Sequence, residues 1–128
     1  MKTTRLPAAA VIIIDLILTV VFCVIGRVSH TEGVLSDLPG LLQTIWPFVS
    51  ALVVAHIVLL IARTRTDGLL SGLIVWAVTI IGGLALRVAS GQGTALAFII
   101  VAALVLALLL IGWRLVLRGV RRGRRPVS

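Results

Sequence analysis

The chain has 128 residues, of which 60% are hydrophobic and only 12% charged, and it carries a formal net charge of +8. A soluble domain of this size buries only about two thirds of its surface, so the composition excludes an ordinary globular protein and points to lipid as the cover. Half of the basic residues lie in the last fifteen positions beside an apolar run, which reads as a membrane-surface signal and excludes a nucleic-acid patch.

Four apolar stretches, at about 7–27, 41–62, 69–87 and 94–117, each reach the roughly 20 residues needed to span about 30 Å of hydrocarbon. None alternates as a strand would, and a barrel needs at least about eight strands. The fold predicted is an all-α integral membrane protein: one domain over 1–128, a four-transmembrane-helix bundle of two helical hairpins, followed by a basic tail over 118–128. Lys2 and Arg5 precede the first stretch as they would in a signal peptide. However, Asp15 interrupts the apolar core and no small-x-small site follows before Gly26-Arg27, so a retained span is expected.

Orientation follows from Lys and Arg. Crossing four spans puts Lys2, Arg5, Arg63, Arg65, Arg114, Arg118, Arg121, Arg122, Arg124 and Arg125 on one side, leaving only Arg27 and Arg87 on the other. Both termini are therefore expected in the cytoplasm of a bacterial cell, with the bundle in its inner membrane. The connections are short, and the longest, 28–40, ends in the turn pair Pro39-Gly40. Arg27-Val28 ahead of Gly33 is echoed sixty residues on by Arg87-Val88 ahead of Gly93, a short hint of a parallel repeat.

In span one, Asp15 sits about eight residues in, near 12 Å deep. A carboxylate at that depth costs a few kcal/mol, so it faces the bundle or a water-filled cavity. Asp15, Thr19, Phe22 and Gly26 share one helix face, read as the inward one. His56 in span two reaches similar depth from the same side and is the natural partner, a contact that would make a titratable pair. That intramembrane group is either a proton or cation site or a structural hydrogen bond holding the bundle together.

At the outer end, Arg27, His30, Glu32 and Arg87 form a polar cluster that either binds an anion or, the favoured reading, clamps the two loops through Arg–carboxylate pairs. Pro47, in Trp46-Pro47-Phe48, frees a carbonyl and bends span two. Trp46 and Trp113 fit the two interfacial aromatic belts. Trp76, at the depth of Asp15, either roofs a cavity or simply packs. Thr79, Gly82 and Gly83 give span three a small-residue face for close helix contact, within the chain or across a dimer. Span four has no polar group at its centre and reads as a lipid-facing or packing helix. Arg118, Arg121, Arg122, Arg124 and Arg125 make a juxtamembrane cluster suited to anionic lipids at the cytoplasmic face.

The chain lacks a glycine-rich phosphate loop, metal-ligand spacing, a second haem ligand and a nucleophile triad, and its one cysteine, Cys23, permits no internal disulfide; neither an enzyme nor a cofactor or metal is expected. With Asp15, Gly26-Arg27, Ser29-His30, Trp46-Pro47-Phe48, Gly82-Gly83, Arg87 and Gly112-Trp113-Arg114, the chain resembles over nearly its whole length small actinobacterial membrane proteins, the domain of unknown function 3054. The resemblance implies a four-helix inner-membrane protein and brings no activity. Small multidrug transporters share the architecture and an acidic residue in the first helix, but rely on Glu and surrounding aromatics. The expectation from the residues is a small proton- or ion-coupled transporter or channel-like homo-oligomer. The alternative is an accessory or scaffold subunit that docks on a partner membrane protein through its Gly/Thr face.

Overall fold

The structure, a computed structural model, describes residues 6–30, 38–92 and 96–123, with residues 27–30 and 38 described by backbone alone. The chain folds into α1 (Ala8–His30), α2 (Leu38–Ile61), α3 (Leu69–Ala89), α4 (Leu96–Leu110) and α5 (Gly112–Gly123). Helix is the form that lets apolar segments of this length satisfy every backbone group without water. Among the described residues four helices are long and apolar enough to cross a membrane, because α4 and α5 form one span over Leu96–Gly123. The break between them is slight: the Ile111 and Leu115 amides donate to Ala107 and Ile111 at 3.0 Å, keeping the ladder across it.

Each span packs on the next, and α4 closes back on α1, so the four form a ring. Phe48 stands at the centre, edge-on to Phe22 at 5.6 Å and tilted against Phe98 at 6.3 Å. Leu52, Leu59, Val75, Leu106 and Leu110 continue this core along the axis. The small-residue face of α3 is used inside the chain. A Cβ on Gly82 would lie 2.9 Å from that of Ala51, and one on Gly83 would lie 2.4 Å from the Phe48 ring. These glycines set the α2–α3 distance, so they are not available as the docking face expected from the sequence.

The proline of α2 is absorbed without ending the helix. Pro47 has no N–H for the carbonyl four residues back, that of Gln43. The Gln92 amide, from the α3–α4 connection, donates to that carbonyl at 3.0 Å, and Arg87 donates to Gln92 Oε1 at 3.1 Å. At its other end α2 stops in a Schellman turn. Thr64 N–H reaches Leu59 O at 3.0 Å, Arg63 N–H reaches Leu60 O at 3.1 Å, and Arg63 takes the left-handed φ of 55°.

Gly83→Ala is expected to lower stability by about 1–3 kcal/mol, since the buried Phe48 ring has nowhere to move. Gly26→Ala, which meets nothing within 4 Å, should be neutral or stabilising. Thermal unfolding in detergent distinguishes the two. In the same assay Gln92→Leu should cost about 1 kcal/mol, and less on a Pro47→Ala background, where residue 47 regains its own N–H for Gln43.

Candidate functional site

Asp15 is fully buried on α1 and gathers donors from two other helices. Oδ1 accepts from Trp113 Nε1 at 2.8 Å and from Arg114 Nη1 at 2.9 Å. Oδ2 accepts from Arg114 Nη2 at 2.8 Å and stands 2.8 Å from His56 Nε2. A carboxylate gripped bidentately by a guanidinium is ionised and can only accept, so His56 Nε2 carries the proton in that contact. The four acceptor positions of the carboxylate are thereby all taken.

Arg114, only 1% exposed, is satisfied as completely. Beyond its two bonds to Asp15, Nη1 donates to Leu110 O at 2.7 Å, and Nη2 and Nε both donate to Thr66 O, at 2.9 and 3.3 Å. These use all five guanidinium donors. The Leu110 carbonyl lies at the junction of α4 and α5, so this bond ties the side chain to the end of α4. Gly72 makes room for the arginine: a Cβ there would lie 2.6 Å from Arg114 Cδ, a part of the side chain that cannot swing away while its tip is tied. The cluster thus joins α1, α2, the α2–α3 connection, α3 and α5.

Asp15 and His56, at similar depth by residue count, meet in the structure at 2.8 Å. Their other neighbours differ from those expected. Trp113 turns inward to Asp15 rather than serving only in an interfacial belt, and Arg114 is the principal partner rather than a flanking charge. Span four, expected to be passive, supplies both residues from its C-terminal end. The available signal was slight: Arg114 follows Trp113 inside the end of an otherwise uncharged span. Trp76 takes another role, donating to Ala103 O at 2.8 Å and so tying α3 to α4. Thr19, one turn along α1 from Asp15, is fully buried; its Oγ1, Thr79 Oγ1 and His56 Nδ1 make no hydrogen bond among the described residues.

At the opposite end of the bundle, Arg87 reaches Gln92 and lies 4.7 Å over the Phe98 ring, which makes it a brace on the α3–α4 connection. The side chains of Arg27 and His30, along with Glu32, Gly33 and Gly93, fall outside the described residues, as do Arg124 and Arg125 of the tail. At the end of the bundle that holds the α2–α3 connection sits Asp67, which the sequence did not single out. Its carboxylate accepts from the Leu6 N–H at 3.0 Å and pairs with Arg65 and, at 3.1 Å, with Arg121. Burial pushes the Asp67 carboxyl up, but the Arg65 and Leu6 hydrogen bonds and the charges of Arg65 and Arg121 outweigh it and hold its pKa below the usual 3.8.

Residues 12–117 match the protein family of unknown function DUF3054. No curated protein and no solved structure matches the chain.

Asp15→Asn or Arg114→Gln should each cost about 3–5 kcal/mol, because each leaves the opposite charge buried and unpaired. The double variant should lose clearly less than the sum in a thermal-unfolding cycle. Arg114→Lys should not rescue, since an ammonium cannot supply the five-donor fork. For Asp67 the folded pKa is depressed, so its contribution is full above pH 3.8 and is lost as pH falls through the lower folded value. Asp67→Asn should remove that part of the acid dependence in a pH series of melting temperatures.

Proposed function

We propose that this chain, which belongs to the family of unknown function DUF3054, is a non-catalytic membrane scaffold: a four-span subunit that assembles with itself or beside a larger membrane protein. One observation carries the reading. Every hydrogen-bonding position of Asp15 and Arg114 is occupied from within the chain, and both residues are sealed from solvent. A coupling carboxylate needs a free lone pair and a route to water as it exchanges its proton or cation. Asp15 has neither, and breaking its cluster would unfasten four spans at once. Its chemistry suits a fastening better than a turnover site. With the Gly/Thr face of α3 filled by α2, the row Leu96, Ile100, Leu104 and Leu108 on α4 remains for lipid or a partner helix to cover. The host is a bacterial inner membrane with both termini cytoplasmic, a reading supported by the arginine distribution.

Proton- or ion-coupled transport is the second reading, favoured by the buried His56 Nδ1, Thr19 Oγ1 and Thr79 Oγ1, which make no hydrogen bond among the described residues. Those groups offer a polar route past Asp15 if the ion pair opens.

Proton flux into liposomes separates the two. The scaffold reading expects wild type to pass no more protons than empty vesicles, with Asp15→Asn changing only thermal stability. Wild-type flux that vanishes in a folded Asp15→Asn protein would overturn it in favour of transport.

A further inference from the structure

The α2–α3 connection and α5 enclose a cleft of about 290 Å³ at the end of the bundle where Asp67 sits. Four arginines line it, namely Arg65, Arg118, Arg121 and Arg122, and Asp67 is the one carboxylate among its walls. Four positive charges against one negative leave a surplus of three. Asp67 engages Arg65 and Arg121 and fixes them as a rim. Arg118 and Arg122 are exposed and make no ion pair among the described residues. Their fork geometry is suited to bidentate contact with a tetrahedral oxyanion.

The remaining walls say where that anion comes from. Leu69 is the first residue of α3 and Leu117 lies on α5, three residues past the sealed Arg114, so the cleft straddles the boundary between hydrocarbon and water. Gly68 begins α3 without any side-chain cap, which adds the positive end of the helix to the same wall. The volume is at the low end of the roughly 300–1,000 Å³ typical of ligand pockets, on the scale of a lipid headgroup. A soluble anion would use the arginines and gain nothing from the leucines. A phospholipid would use both, its phosphate on the arginines and its glycerol and first methylenes on Leu69 and Leu117.

We propose that this cleft is a binding site for the phosphate headgroup of an anionic phospholipid, held by Arg118 and Arg122 against the Arg65–Asp67–Arg121 rim. The site is distinct from a diffuse attraction of the tail, because its rim is built from the α2–α3 connection and fixed by an internal carboxylate.

The test is a titration of the purified protein in neutral detergent micelles with phosphatidylglycerol, read by native mass spectrometry or thermophoresis, with phosphatidylcholine in parallel. Wild type should retain phosphatidylglycerol in preference to phosphatidylcholine. Arg118→Gln should weaken retention about fivefold, and Arg118→Gln with Arg122→Gln about 30-fold. Both residues are exposed, so these variants should melt as wild type does. Arg63→Gln is the charge control, because Arg63 is exposed and does not line the cleft; its retention should stay within about twofold. Equal losses for Arg63→Gln and Arg118→Gln would reduce the effect to general surface charge and overturn the site. Displacement of the lipid by millimolar inorganic phosphate, itself bound in neutral micelles, would overturn the lipid assignment in favour of a soluble anion.

Discussion

A carboxylate and a guanidinium both removed from water at membrane depth must be matched donor for acceptor, and this bundle is arranged around that requirement. Each ion alone would cost several kcal/mol to bury. Asp15 has four acceptor positions and Arg114 five donors, and the chain fills all of them with two mutual bonds, an indole, an imidazole and two backbone carbonyls. Because the contributors come from α1, α2, α4, α5 and the α2–α3 connection, satisfying the pair also fixes the mutual positions of the spans. The room it occupies is provided by Gly72, so even α3 is placed by it.

The opposite end solves a smaller version of the same problem. Pro47 deprives the Gln43 carbonyl of its usual donor, and Gln92 supplies one from the next connection while Arg87 steadies Gln92. Between the ends lie Phe22, Phe48 and Phe98, whose edge-on and tilted contacts fill the space that Gly82 and Gly83 open by drawing α3 against α2. Hydrocarbon offers little driving force for helices to associate, so close packing and polar bonding must supply it. The two polar ends and the aromatic middle divide that task along the axis.

A third polar group ties the segment before α1 to the α2–α3 connection and to α5 through Asp67. It is close in sequence to Thr66, whose carbonyl serves Arg114, so one short connection supports both the sealed ion pair and the basic cleft outside it.

The sequence by itself determined the number of spans, their approximate limits and the inward face of α1, because hydrophobic length and helical periodicity are local properties that the bilayer enforces. It also determined that Asp15 needed a partner and that His56 had the right depth, since depth is only a count of residues along a helix. The tertiary structure alone decided that Arg114 and Trp113 complete the site, that Trp76 does not join it, and that the glycines of α3 face α2. Those outcomes depend on rotation of one helix against another and on which helix closes the ring. Residues 98 and 99 positions away from Asp15 are brought to 2.8 Å only by that closure. Arg114 looked like a flanking charge because an arginine at a span end usually snorkels to water, a cheap option that a local reading prefers. Here a buried carboxylate with unfilled lone pairs makes the inward rotamer the better one, and that competition exists only once the helices have met.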